Sequence, residues 1–151
     1  MNDLLYQVTV LGTARGKGSM ETTMGRNGRP KAYGAKKGAA WQTLVALRAQ
    51  ENAPEELLEG PLAVCVGVLV AKPLSAPKRR QVWPTKRGST DVDKIARAVL
   101  DSLTGIVYRD DSQVTHLRIS KNWAEDARPR VEIAVFDARE GWPPCPSSSE
   151  R

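Results

Sequence analysis

The chain has 151 residues, with 23 Lys+Arg against 17 Asp+Glu and a formal net charge of +6, and its pI is near 9.6. That length fits one domain able to bury a core without disulfides or structural metals, and the basic balance favours a polyanionic partner, nucleic acid first. No apolar run reaches the length of a membrane span, and Met1-Asn2-Asp3-Leu4-Leu5 lacks a basic segment followed by a long apolar core, which argues against a membrane-spanning or exported protein and for the cytoplasm.

Leu5 to Leu11 reads as a strand from its β-branched and aromatic content, stopped by Gly12. From Thr13 to Lys37 the chain is Gly-rich and basic, with Arg15, Lys17, Arg26, Arg29, Lys31, Lys36 and Lys37 against the single acid Glu21. No core can be built from that stretch. It suits a loop or hairpin that orders on meeting phosphate, or equally a solvated linker. Ala39 to Gln50 has high helix propensity, and Trp41, Leu44, Val45 and Leu47 are expected largely on one side, against a sheet.

After an acidic connector with Glu55, Glu56 and Glu59, Pro61 introduces a second strand. Residues 62 to 71 are too continuously apolar for a half-exposed edge, so a central strand buried on both faces is expected. Cys65 lies inside that run and Cys145 in a Pro/Ser-rich tail, and both are expected as thiols without a disulfide between them. The following loop to Thr90 carries Lys72, Lys78, Arg79, Arg80, Lys86 and Arg87 with no acid, and Pro77 and Pro84 disfavour helix there. Its cations are expected to contact phosphate. Trp83 is expected to anchor the loop to the core, stacking on a base being the alternative.

Thr90-x-x-Asp93 has the form of a capping box, with aspartate in the usual place of Glu or Gln, opening a helix that runs to Leu103. Ile95, Val99 and Leu103 should face the core, helped by Ala96, Ala98 and Leu100, and Gly105 suits the helix end. Ile106-Val107-Tyr108 reads as a short strand, Arg109 to Ser112 as a turn and Val114 to Ser120 as a strand, together a hairpin. Val131, Ile133 and Val135 alternate with Arg130, Glu132 and Ala134 in a final amphipathic strand. Residues 1–139 are expected to form the single compact domain and 140–151 a disordered Pro/Ser-rich tail. The class is α+β, a mixed β-sheet packed by two main helices.

The carboxylates carry the chemistry. Asp91 and Asp93 sit in the first helical turn, where the macrodipole and unpaired backbone N–H groups stabilise negative charge, and Asp110-Asp111 sit in a turn. Each pair alone is ordinary structural chemistry. If the chain closes so that three or four of these groups converge, their repulsion favours a hard divalent cation with oxygen ligands, which orients water and stabilises charge at a phosphate. Such acids inside a basic chain suit a nuclease. His116, the only histidine, is read as a packing or surface residue with no catalytic role.

The run from Asp91-Val92-Asp93-Lys94-Ile95-Ala96-Arg97 through Asp101-Ser102-Leu103 to Asp110-Asp111-Ser112-Gln113-Val114 resembles the core of the RusA family of Holliday-junction resolvases. The family pattern is approximately Asp-x-Asp-Asn-x-x-Lys-x-x-x-Asp-x-Leu, a spacer, then Asp-Asp-x-Gln-Val and a later lysine, which Lys121 matches. The resemblance implies a homodimeric endonuclease that uses magnesium, or manganese in its place, to nick opposing strands of four-way DNA junctions. It implies Asp91, Asp93 and Asp111 as metal ligands with Asp110 in support; the cations of the two basic loops, Arg15, Lys17, Lys72, Lys78, Arg79, Arg80, Lys86 and Arg87, are expected with Lys121 as DNA contacts. Asp101 is read as structural, paired with Arg97.

Two residues depart from that pattern. Lys94 stands where the family has Asn, and Arg97 where it has Lys; arginine keeps the charge and grips phosphate bidentately but cannot donate a proton. Either Arg97 holds the phosphate or Lys94 supplies the ammonium. The rival readings are a non-catalytic junction- or DNA-binding protein on the same scaffold, and a broader nuclease of flaps or branched DNA.

Overall fold

Ten consecutive residues without a charge, Leu62–Ala71, form the strand on which the sheet is built. The computed structural model describes residues 3–16, 21–24, 27–33, 38–85, 91–139 and 141. In chain order the elements are β1 (Leu4–Leu11), β2 (Glu21–Met24), β3 (Pro30–Tyr33), α1 (Ala39–Glu51), β4 (Leu62–Ala71), α2 (Val92–Leu103), a 3₁₀ turn at Asp111–Gln113, β5 (Val114–Ala124) and β6 (Arg130–Asp137). The four-stranded sheet has the order β1-β6-β4-β5, and β2 and β3 form a separate two-stranded ladder. β6 is antiparallel to both β1 and β4, whereas β5 is parallel to β4. The fold is a single α+β domain with a mixed sheet and two helices, as the sequence implies.

β4 has a strand on either side and is buried from Leu62 to Val66, which explains its unbroken apolar run. Its alternate residues divide between two faces. Val64, Val66 and Val68 join Tyr6, Val8, Val10, Val131, Ile133 and Val135 in the main core with both helices. Ala63 and the buried Cys65 join Phe136 and Ala138 in a small cluster on the other face.

Both helices cover the first of these faces. On α2 the buried residues are Ile95, Ala96, Ala98, Val99, Ser102 and Leu103, the stripe that the pattern predicts. Ser102 stays satisfied there because its Oγ donates to the Ala98 carbonyl at 2.6 Å. On α1 the buried set is Trp41, Val45 and Ala49, with Leu44 packed at its margin. Leu47 is 58% exposed, contrary to the expectation that it shares this side. Trp41, Val45 and Ala49 recur every four residues and so share one stripe, while two residues of helix turn Leu47 about 200° away from Val45.

Two further expectations change. The N-cap of α2 is Asp91, whose carbonyl accepts from Ile95 N–H at 3.1 Å, and its side chain makes no cap hydrogen bond; Thr90 lies outside the described residues. The expected hairpin of 106–108 with 114–120 does not form either. Gly105 adopts φ +78 and donates its N–H to the Tyr108 carbonyl, so the chain turns tightly, and Tyr108 makes only isolated bridges to Leu58 and Thr104. Val114–Ala124 pairs instead in parallel with β4, making β4-α2-β5 a crossover unit whose connection is long enough for parallel strands. Burying Val107 and Tyr108 completely satisfies that segment better than a second exposed ribbon.

Within the stretch 13–37, left open between loop, hairpin and linker, Glu21 to Met24 pairs with Tyr33 to Pro30, and Gly28 lies between them at φ +68. The Pro/Ser-rich tail at 142–151, Cys145 included, lies outside the described residues. No helix among those described is long and apolar enough to cross a membrane.

The helix facings predict unequal costs of truncation. Leu103→Ala should lower the unfolding free energy by about 2–5 kcal/mol, while Leu47→Ala should stay within about 0.5 kcal/mol of the parent. Urea titrations of the two variants decide this, and similar losses in both would contradict the packing of α1.

Candidate active site

Positioning begins with one side chain, Gln113. Its Oε1 accepts the backbone N–H groups of Arg109 at 3.0 Å and Asp110 at 3.1 Å. Its Nε2 donates to the carbonyls of Leu58 at 3.0 Å and Gly60 at 3.3 Å. In return the Asp110 carboxylate accepts from Ser112 N–H at 2.9 Å, closing a capping box around the 3₁₀ turn. The Asp110-Asp111-x-Gln113 segment is therefore stitched to the chain that enters β4. The Ser112 hydrogen bonds hold the Asp110 carboxyl below the usual carboxylate range, so it is ionised at neutral pH. Both aspartates are exposed.

Tyr108 fills the space beneath this turn. Its ring is fully buried and its hydroxyl donates to the Leu100 carbonyl at 3.1 Å. Burial pushes its phenol far above the ordinary value, with further contributions from the charges of Asp111 and Asp101. Asp101 is half-buried on α2, and the turn bearing Asp111 packs against that helix.

Asp91 and Asp93 open the same helix and are exposed. Lys94 Nζ stands 3.2 Å from Asp91 Oδ2, an i,i+3 ion pair. The departure at position 94 therefore places a cation on a carboxylate that the resemblance assigns to a metal. Arg97, one helical turn beyond Asp93, is exposed. Two turns, about 12 Å of helical rise, separate Asp93 from Asp101.

Carboxylate oxygens of this kind suit magnesium in donor chemistry. Among the described residues, however, no three His, Cys, Asp or Glu side chains are grouped so that they hold a metal ion. The convergence conceived from sequence is accordingly not formed by the described side chains. Asp111 lies on a turn packed against α2, and Asp91 is engaged with Lys94.

The cations lie around these acids in several places. Arg15 is exposed, and its segment passes against the start of α1: a Cβ on Gly38, at φ +102, would stand 2.5 Å from the Gly16 carbonyl. Lys72, Lys78, Arg79 and Arg80 are all exposed on the loop after β4. Lys121 is half-buried on β5, in register with Val68. Lys17, Lys86 and Arg87 lie outside the described residues. His116 is exposed on β5, with Thr115 Oγ1 at 3.0 Å from its Nδ1.

Three residues acquire roles that the sequence reading did not give them. Gln113 is the staple of the aspartate turn, and the signal for it was present, since Asp-x-x-Gln is a capping-box spacing. Tyr108 is the plug on which the turn rests. The anchor of the basic loop is Trp123, not Trp83: the Trp123 indole N–H donates to the Val82 carbonyl at 2.7 Å, while Trp83 is 60% exposed.

The acids are borne by the crossover helix of a mixed sheet, opened by Asp91 and Asp93, and by the stapled Asp110-Asp111 turn that follows it. The family model described as "Endodeoxyribonuclease RusA" matches residues 12–136, and the chain belongs to that family. A relative, "Uncharacterized protein YqaN" of Bacillus subtilis (strain 168), is 34% identical over 117 residues, covering 73% of this chain and 81% of its own length.

The staple yields a direct expectation. Gln113→Ala leaves two backbone N–H groups and two carbonyls without their partner and should cost about 1–3 kcal/mol. Gln113→Glu keeps the acceptor but sets a carboxylate against the carbonyls of Leu58 and Gly60, so it should destabilise as well. Thermal unfolding checks both, and a Gln113→Glu protein as stable as the parent would show that the Nε2 hydrogen bonds contribute nothing.

Proposed function

We propose that the protein is a magnesium-dependent, structure-specific DNA endonuclease that resolves four-way junctions by paired nicks in opposing strands. In this reading it works as a homodimer in the cytoplasm of a bacterial or phage-infected cell, in DNA recombination and repair. The observation that carries it is the pair of exposed acidic clusters on one crossover helix and its following turn, Asp91/Asp93 and Asp110/Asp111, in a chain of net charge +6. Family membership supplies the nuclease class, and exposed acids in so basic a chain suit a cation-assisted reaction on a polyanion.

Asp91, Asp93 and Asp111 are the ligands in this reading, with Asp110 in support; manganese, equally an oxygen-seeking cation, can substitute for magnesium. When bound, the metal supplies positive charge at the scissile phosphate and an oriented water. Lys94 holds the Asp91 carboxylate in the absence of the ion and competes for it. Arg97 and Lys121 bind phosphate as cations. Arg15, Lys72, Lys78, Arg79 and Arg80 hold the DNA arms, joined by Lys17, Lys86 and Arg87. Because these contacts are to phosphate, affinity falls linearly on a logarithmic salt axis, by about 0.9 in slope per phosphate on duplex arms.

A broader branched-DNA nuclease and a non-catalytic junction binder are the competing readings. The Lys94–Asp91 ion pair favours the second, because it gives the Asp91 carboxylate a counter-charge other than a metal.

Incubating a synthetic four-way junction, a flap and a plain duplex with the protein and magnesium separates all three. The resolvase reading expects symmetric nicks on the junction alone; a shifted band with no product leaves only the binder. Asp91→Asn should abolish nicking and leave junction binding intact, since it removes a ligand and no cation. Retained cleavage by that variant would count decisively against the assignment. Comparing Lys94→Ala with Arg97→Ala locates the catalytic cation: the essential one should lose at least about tenfold in nicking rate, and full activity in both would rule out either as participant.

A further inference from the structure

Trp83 is held as though for display. Its neighbour Val82 is pinned through its carbonyl by the Trp123 indole N–H at 2.7 Å, and its own carbonyl accepts from Thr85 N–H at 2.8 Å. Between these two bonds Pro84 is buried, and its ring fixes the backbone further. The residue before Trp83 is thereby tied to β5 and the residue after it is buried, while the Thr85 bond tightens the turn between them, yet the Trp83 ring is 60% exposed. A large apolar ring gains by burial, and a loop tied down on either side of it does not cover it. The same loop carries exposed Lys78, Arg79 and Arg80 and leads to Asp91.

We propose that Trp83 is a base-stacking residue of the DNA interface, presented by the Trp123–Val82 hydrogen bond to a nucleobase that branched DNA leaves unstacked. This rests on the branched-DNA reading above and adds to it a residue that distinguishes branch from duplex. An indole offers a flat π-face that stacks on any base, whereas in an intact duplex every base face is already occupied by its neighbours. The surrounding cations hold phosphate on either kind of DNA and so do not discriminate. Trp83 does, because its partner exists only where base stacking is interrupted.

Trp123 is then a positioning residue. It lies two residues beyond Lys121 on β5, so both side chains leave the strand on the same face, in register with Val70 and Val68. Through Val82 it sets where the Trp83 ring stands relative to the body of the sheet. Leu74, fully exposed on the same loop, serves as an apolar control without an aromatic face.

The test measures binding of the full chain in EDTA, which prevents cleavage, to a four-way junction carrying 2-aminopurine at the branch point and to the matching plain duplex. The parent should prefer the junction and change the 2-aminopurine fluorescence. Trp83→Ala should weaken junction binding by about 5- to 150-fold, leave duplex binding within about twofold and abolish the fluorescence change, with the salt slope unaltered because no cation is lost. Trp83→Phe should keep most of the affinity, Trp83→Leu should not, and Leu74→Ala should match the parent. Trp123→Phe, which retains a ring but loses the N–H, should reduce both the junction preference and the fluorescence change. Junction binding by Trp83→Ala equal to that of the parent, or an equal loss on junction and duplex, would overturn the stacking role. A parent with no preference for the junction would overturn the branched-DNA reading itself, and this proposal with it.

Discussion

The carboxamide of Gln113 bonds to four backbone groups at once, and the geometry of the site depends on that. A primary amide offers an acceptor at one end and two donors at the other. Here the acceptor gathers Arg109 and Asp110, and the donors reach Leu58 and Gly60. The first pair shapes the aspartate turn; the second fixes that turn to the segment entering the central strand. β5 then begins in place, with Val114 beside Leu62. Neither Glu nor Leu, similar in size, supplies both functions. The turn also rests on Tyr108, whose buried ring and hydroxyl bond to Leu100 tie it to α2.

Around this rigid element the charges are arranged on surfaces. The acids sit toward the two ends of α2, with Asp91 and Asp93 exposed at its N-terminus, Asp101 toward its other end and Asp111 on the turn packed against it. The loop cations follow β4 in the chain, and among the described residues the loop is fastened to β5 by a neutral hydrogen bond, Trp123 to Val82. That leaves the charges of Lys78, Arg79 and Arg80 on a surface open to a polyanion. The Lys94–Asp91 pair, by contrast, is local to one helical turn and exposed, so it contributes little to stability and is available for exchange.

Much of this organisation was legible in sequence because burial in helices and strands has a period. The α2 stripe of Ile95, Val99 and Leu103, the unbroken run of β4 and the alternation of β6 all follow from which faces are covered. Where the pattern is too short to carry a period, it misled. Ile106-Val107-Tyr108 has strand-like residues but serves as a buried plug after the Gly105 turn, and β5 takes a partner more than forty residues earlier in the chain instead of a neighbour. Leu47 counts as apolar in composition, yet its angle on α1 puts it in solvent. The anchor was assigned to Trp83 instead of Trp123 because residue type gives no hint of which ring meets a carbonyl from a distant loop.

What the sequence by itself determined is the family: the spacing of Asp91, Asp93, Asp110, Asp111 and Gln113 is a local property of the chain and survives without any knowledge of contacts. The secondary structure of the long elements is likewise local, being set by hydrophobic period. Only the tertiary structure decided that Gln113 reaches Leu58 and Gly60 and that Trp123 fastens the loop from which Trp83 projects. Each of these depends on parallel pairing of β5 with β4, a long-range choice driven by burying apolar surface across the whole sheet and not by any preference of the residues concerned.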